Sequence, residues 1–173
     1  MAVFRSAARV QNASFTRAIC IVFVLFFGLR ADAIERKPLP VFSITALDGT
    51  EVTSDSLVAE GQWLLVYVQT GCSACDSLMR AVVEERTDLA SHMVIVIGGV
   101  DAATAARLAG RFPTLSGARW YADKTNVLGS TLRTPGAPVV YGLRGNMLEW
   151  SLTGIVPDAA SYKTALVSWV SAP

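Results

Sequence analysis

The chain has 173 residues, is 52% hydrophobic and carries a formal charge of +1. That balance supplies no basic surface for nucleic acid, and the length suits one domain with a substantial core. Its cysteines are Cys20, Cys72 and Cys75 and its sole histidine is His92; once Cys20 leaves with the N-terminal segment read below, too few ligands remain for a four-ligand zinc site and too few thiols for a disulfide framework.

In chain order, Arg5, Arg9 and Arg17 precede an uninterrupted apolar run over 18–29, and Ala31-Asp32-Ala33 supplies an Ala-x-Ala cleavage pattern. Charged region, short apolar region and small-residue site together read as a secretory signal peptide over 1–33, followed by a domain over 34–173. The run falls well short of the ~20 residues that span a bilayer. An uncleaved anchor is the alternative, and would tether the same domain to the membrane. Arg17-Ala18-Ile19 before Cys20 lacks the small-residue lead-in of a lipoprotein signal. With cleavage, Arg5, Arg9, Arg17 and Arg30 leave with Asp32, the formal charge becomes −2, and only Cys72 and Cys75 remain as thiols.

Residues 34–40, with Arg36-Lys37 and two prolines, read as an extended lead-in. Strand character over 41–47 meets Asp48-Gly49, a turn signal, before Thr50-Glu51-Val52-Thr53. Ser54 or Asp55 starts a helical turn through Val58. Residues 63–69 are apolar, aromatic and β-branched, which predicts a buried strand, broken by Thr70-Gly71. Leu78, Met79, Val82, Val83 and Leu89 then recur at helical spacing, predicting a helix from Ser73 to near Ser91. A strand is expected over 93–97, closed by Gly98-Gly99, then a helix capped by Asp101 through Arg111 and ended by Phe112-Pro113. A short strand follows over 118–121, and Asp123 caps a helix to about Leu132. Residues 138–143 and 147–152 flank Arg144-Gly145-Asn146 as a hairpin. Pro157-Asp158 opens a last helix with Ala165, Leu166, Trp169 and Val170 on its apolar face. The order β-hairpin, β, α, β, α, β, α, β-hairpin, α predicts an α/β fold, a mixed central sheet with helices on both faces.

Cys72-Ser73-Ala74-Cys75 falls where the buried strand hands over to the helix. Unpaired N–H groups and the helix dipole there favour thiolate over thiol. A thiolate with a second cysteine one turn along can attack a disulfide and then release itself from the mixed disulfide. A c-type haem would need histidine where the chain has Asp76. An inert disulfide is the bland alternative, although so short a loop gains little from closing.

In these features the chain resembles the thioredoxin superfamily, and within it the exported TlpA-like disulfide oxidoreductases, over about residues 40–170. The residues that carry the resemblance are the Phe42 to Val52 lead-in with Asp48-Gly49, the Cys72/Cys75 motif after a strand, the Asp123 helix, and Gly136-Ala137-Pro138 entering the Gly145 hairpin. The resemblance implies a thioredoxin fold with an N-terminal β-hairpin extension. It implies Cys72 as exposed nucleophile and Cys75 as buried resolving thiol. It also implies a cis peptide before Pro138, packed beside the cysteines, with Pro135 as the rival position. Ala137 would then offer its main chain to an extended substrate segment, and Gly71 would border the same contact.

There are departures. Gly71 stands where the family usually has tryptophan, and Val66 and Leu78 stand where its members carry a buried acid or a glutamate. Asp76 and Glu84 are substitutes to consider; Asp76 also opposes a thiolate at Cys72 by like charge, so only a modest fall in that thiol's pKa is expected. His92, following a helix, reads as a partner for its C-terminal carbonyls. Trp63, Trp150 and Trp169 read as core or rim aromatics. Trp120 and Tyr121 are candidates for the active-site side, with core packing the plainer reading.

The implied function is a periplasmic or otherwise extracytoplasmic thiol–disulfide oxidoreductase, leaning towards reduction, with no metal or organic cofactor. Its partners would be an exported protein with a disulfide or dithiol and a membrane electron donor or acceptor. A disulfide oxidase or isomerase, and a non-catalytic thioredoxin-fold binding module or chaperone, stay open as alternatives.

Overall fold

The computed structural model of the protein describes residues 36–83, 87–154 and 159–172. Within them, strands β1 (Lys37–Pro38), β2 (Ser43–Ala46), β3 (Glu51–Thr53), β4 (Gln62–Gln69), β5 (Met93–Gly98), β6 (Arg119–Asp123), β7 (Val139–Arg144) and β8 (Met147–Thr153) form one sheet. Its order is β1-β8-β7-β4-β5-β6-β2-β3. The helices are α1 (Ser73–Val83), α2 (Thr87–Ala90), α3 (Ala102–Ala109), α4 (Val127–Thr131) and α5 (Ala159–Ser171), with 3₁₀ turns at Ser54–Leu57 and Pro113–Leu115.

β4 has no polar alternation because both of its faces are covered. Trp63, Leu65 and Tyr67 point into one core with Phe42, Leu57 and Leu128. Leu64, Val66 and Val68 point into the other with Leu78 and Met79 of α1, Ala105 of α3 and Leu166 of α5. β4, β5 and β6 pair in parallel, and β7 returns antiparallel to β4 on its other side. Both parallel crossovers step the same way along the sheet, so right-handed connections put α1 and α3 on one face. α4 and the Ser54–Leu57 turn cover the opposite face.

The hairpin before β4 forms as expected: the Asp48 carboxylate accepts the Thr50 N–H at 2.8 Å and Gly49 takes φ +89°. The lead-in does more than expected. Lys37–Pro38 pairs with Leu148 and Met147 as an edge strand, where a proline's missing N–H costs nothing. The helix expected to reach Ser91 is described as α1 and α2, with 84–86 outside the described residues. The predicted signal segment, Glu84 and the Pro157-Asp158 helix start also lie outside them. In α5, Ala165 is exposed while Leu166 is buried and Trp169 and Val170 are partly buried. Leu166, Trp169 and Val170 make the i, i+3, i+4 stripe, and Ala165 sits off it.

Asp101 caps α3 as read from the sequence, its carboxylate accepting the Thr104 N–H at 2.8 Å. That hydrogen bond lowers the Asp101 pKa from its ordinary 3.8. A depressed carboxyl stabilises the fold above its unfolded pKa and loses that contribution as pH falls through the folded value. An NMR titration of the Thr104 amide should therefore show its midpoint below 3.8; a midpoint at or above it would remove the cap.

Candidate active site

The site lies at the C-terminal edge of the parallel strands, where β4 passes through Thr70 and Gly71 into α1. Gly71 is exposed and has φ +72°, a left-handed conformation that a side chain resists. It turns the chain sharply enough for Cys72 to sit directly before α1. The Cys72 carbonyl accepts from Cys75 N at 3.0 Å and Asp76 N at 3.2 Å, opening the helix. Cys72 and Cys75 are joined as a disulfide with their Cα atoms 5.2 Å apart. Cys72 is half-buried and Cys75 is 3% exposed. The Cys75 N–H also points at Cys72 Sγ, 3.1 Å away. When the pair is reduced, that N–H and the helix dipole favour negative charge on the outer sulfur.

Long-range pairing brings in the other half. Antiparallel register sets Tyr67 opposite Val139, so the residues just before β7 return to the edge from which the cysteines emerge. The Ala137–Pro138 peptide is cis, Pro138 is buried, and Ala137 O lies 3.5 Å from Cys72 Sγ. Pro135, the rival position, is exposed and its peptide is not among the cis bonds of the described residues. Gly71, Cys72, Cys75, Ala137 and Pro138 thus converge on one edge of the sheet.

The loop into Ala137 is anchored by α4. β6 ends in Asp123, which is 2% exposed. Its carboxylate accepts Val127 N at 2.8 Å and Leu128 N at 2.9 Å. Asp123 thus caps the helix as its sequence implies, but from the last position of β6: the turn Lys124–Asn126 lets its side chain reach forward to the first helical amides. Leaving α4, Thr134 N donates to Gly129 O at 2.9 Å and Arg133 N to Ser130 O at 3.3 Å, with Arg133 at φ +53°. This is a Schellman ending with arginine where glycine costs least. Arg133→Gly should therefore raise stability by about 0.5–1 kcal/mol, read as a shift in denaturation midpoint at unchanged slope; a loss of stability would count against a strained arginine.

Val66 and Leu78 are both buried among apolar groups, so neither position supplies an acid. Asp76 is exposed on the first turn of α1. His92 does not cap its helix with the ring: Nδ1 lies 3.3 Å from Gln62 O, at the start of β4. The eight residues of β4 separate it from the cysteines by about 23 Å. Trp63 is fully buried and donates Nε1–H to Gly145 O at 2.8 Å, while Trp150 and Trp169 meet edge to face at 5.5 Å.

Two features escaped the sequence reading. Tyr67 donates its hydroxyl to Asn126 Oδ1 at 2.9 Å and accepts from Gln69 Nε2 at 3.2 Å, tying β4 to the start of α4. Burial raises the Tyr67 pKa, keeping that hydroxyl a donor. The second is a cavity of about 100 Å³ beside Cys75, walled by Met79, Leu108, Phe112 and Trp120. Trp120 stacks on Phe112 at 6.3 Å, so of the two aromatics considered for the active-site side it is Trp120 that lines it. The aromatic pair flanking the Pro113 turn was the available signal. Among the described residues, no group of three or more His, Cys, Asp or Glu is placed to hold a metal ion, and no helix is long and apolar enough to cross a membrane.

No protein-family model matches the sequence, and no curated protein matches it. Solved structures do. A provisionally assigned thiol:disulfide interchange protein, DsbE, from Chlorobium tepidum is 14% identical, with 81% of this chain and 100% of that one covered at a TM-score of 0.61. A secreted Mycobacterium tuberculosis disulfide oxidoreductase homologous to E. coli DsbE is 12% identical over 73% of this chain and 95% of its own, at 0.59. The exposed lipoprotein thioredoxin Etrx1 of Streptococcus pneumoniae is 14% identical over 75% and 99%, at 0.55. The eight-stranded mixed sheet, the close Cys72/Cys75 pair at its edge and these likenesses give the chain the thioredoxin fold.

Proposed function

We propose that the protein is an exported thiol–disulfide oxidoreductase that reduces a disulfide in another exported protein. The observation that carries this reading is the Cys72–Cys75 disulfide at the start of α1, with Ala137 O 3.5 Å from the half-buried Cys72 sulfur. A partly buried main-chain carbonyl beside a reactive sulfur suits an extended client segment, held by main-chain hydrogen bonds while exchange occurs.

From the dithiol form, Cys72 thiolate attacks one sulfur of the client disulfide, and the other client sulfur leaves as thiolate and takes up a proton. The Cys75 thiol gives up its proton and attacks Cys72 Sγ, releasing the second client sulfur, which is protonated in turn. Two electrons and two protons pass to the client, and the protein is left with the Cys72–Cys75 disulfide. A donor dithiol must then restore it, and in an oxidising compartment a membrane protein is the expected source. Val66 and Leu78 leave the interior around Cys75 apolar.

Export is supported by the charged, apolar and Ala-x-Ala segments over 1–33, and by the secreted and exposed proteins that share the fold. Mass spectrometry of the mature N-terminus tests this, with Ile34 the expected first residue. Direction is tested by equilibrating the pair with glutathione or dithiothreitol. A potential near about −270 mV or lower supports a reductant, and one near about −120 mV replaces that reading with disulfide insertion. A pair that never equilibrates while folded leaves a binding module.

A further inference from the structure

The cavity beside Cys75 is the feature that the exchange mechanism does not use. Its floor is apolar, with Met79 of α1 and Ile97 of β5 buried and Leu108, Phe112 and Trp120 partly buried. Its rim contains the exposed Gly71, Asp76 and Arg111. The two rim charges are of opposite sign, so the mouth favours neither anion nor cation. A volume of about 100 Å³ is several times what one water needs, and is below the ~150 Å³ of a cavity that admits benzene. It is also far below the ~300–1,000 Å³ of pockets for organic cofactors. One aliphatic side chain is the occupant of that size.

Location says whose side chain it is. Gly71, directly before Cys72, forms part of the rim, and a Cβ built there meets nothing within 4 Å. Gly71 itself therefore adds no side chain over the cavity mouth. Ala137 O lies on Cys72 Sγ from the other strand connection. A client segment attached at Cys72 and held along Ala137 has neighbouring residues within reach of the opening over Gly71.

The geometry points to this cavity as a specificity pocket that receives a leucine- or methionine-sized aliphatic side chain from the client, one or two residues from its reacting cysteine. This deepens the exchange reading and rests on it. The pocket is built by α3, the Pro113 turn and β6 as well as by α1, so the segment between β5 and α4 acquires a role in client choice.

The test uses the mature chain carrying Cys75→Ser, with single-cysteine peptides activated as mixed disulfides with 5-thio-2-nitrobenzoate. Release of the coloured thiol reports attack by Cys72 on the peptide sulfur. An all-alanine flanking sequence is compared with peptides carrying leucine at each of the two positions on either side of the cysteine. One leucine position is expected to react at least about tenfold faster than alanine, as for aliphatic groups added in an apolar pocket. Leu108→Phe, which fills the cavity, should bring that leucine-to-alanine ratio towards one. Equal rates at all four positions in the unaltered cavity overturn the inference without needing the variant. So does a leucine preference that Leu108→Phe leaves intact in a folded protein. Ellman's reagent itself separates the two levels of the argument: failure of Cys72 to react with it removes the exchange reading, and the pocket's role with it.

Discussion

Replacing Cys72 with serine is expected to lower disulfide exchange by at least about 10³-fold, whereas Cys75→Ser stalls it half-way as a mixed disulfide. The asymmetry follows from burial. Cys72 is half-buried at the helix start beside Ala137 O, whereas Cys75 is 3% exposed and packed in the apolar core. Losing the attacking sulfur removes the covalent step, and nucleophiles that act as part of a unit show losses of at least this order. Losing the inner sulfur leaves attack intact and removes intramolecular release. Insulin reduction gives the rate, and acid quenching with mass spectrometry gives the trapped adduct. An active Cys72→Ser protein, or an adduct forming on Cys75 in place of Cys72, would reverse the assignment.

The largest stability effect outside the apolar cores is expected at Asp123. Its carboxylate, 2% exposed, accepts two helix-start N–H groups, of which that of Leu128 is buried away from water and that of Val127 partly so. Hydrogen bonds to a charged group are worth about 1.5–3 kcal/mol each, and a buried amide left without a partner adds its desolvation. Asp123→Ala should cost about 3 kcal/mol in chemical denaturation. Asp123→Asn should cost less, since one carbonyl oxygen can still accept. A loss within about 0.5 kcal/mol for the alanine variant would mean that those amides find other acceptors. Because α4 leads through its Schellman ending to Ala137, the alanine variant should also slow exchange, while Arg133→Gly, at the same helix, leaves Asp123's bonds in place.

Much of the fold was legible because its signals are local. The apolar run of β4, the glycine break and the helical spacing of Leu78 and Met79 with Val82 and Val83 place a strand, a turn and a helix around the cysteines before any tertiary contact is known. Asp48-Gly49 and Gly145-Asn146 mark their turns by residue type alone. What local signals leave open is how a side chain acts across several residues. Asp123 caps α4 as its residue type implies, but does so from the end of β6 across a turn, and the His92 ring bonds to a strand carbonyl and not to its own helix. The edge strand Lys37–Pro38 carries no strand pattern of its own and forms only because β8 offers it a partner.

By itself the sequence determined the paired thiols, their place at a strand-to-helix junction and the apolar elements of an α/β sheet, since each depends on neighbours a few residues apart. Only the tertiary structure decided what meets them. Ala137 comes within 3.5 Å of Cys72 because β7 pairs antiparallel with β4 in one register. Leu108, Phe112 and Trp120 come to wall a cavity beside Cys75 because a right-handed crossover lays α3 on the same face as α1. Such contacts are set by the sum of burial over whole strands and helices, and no short stretch of chain records that sum.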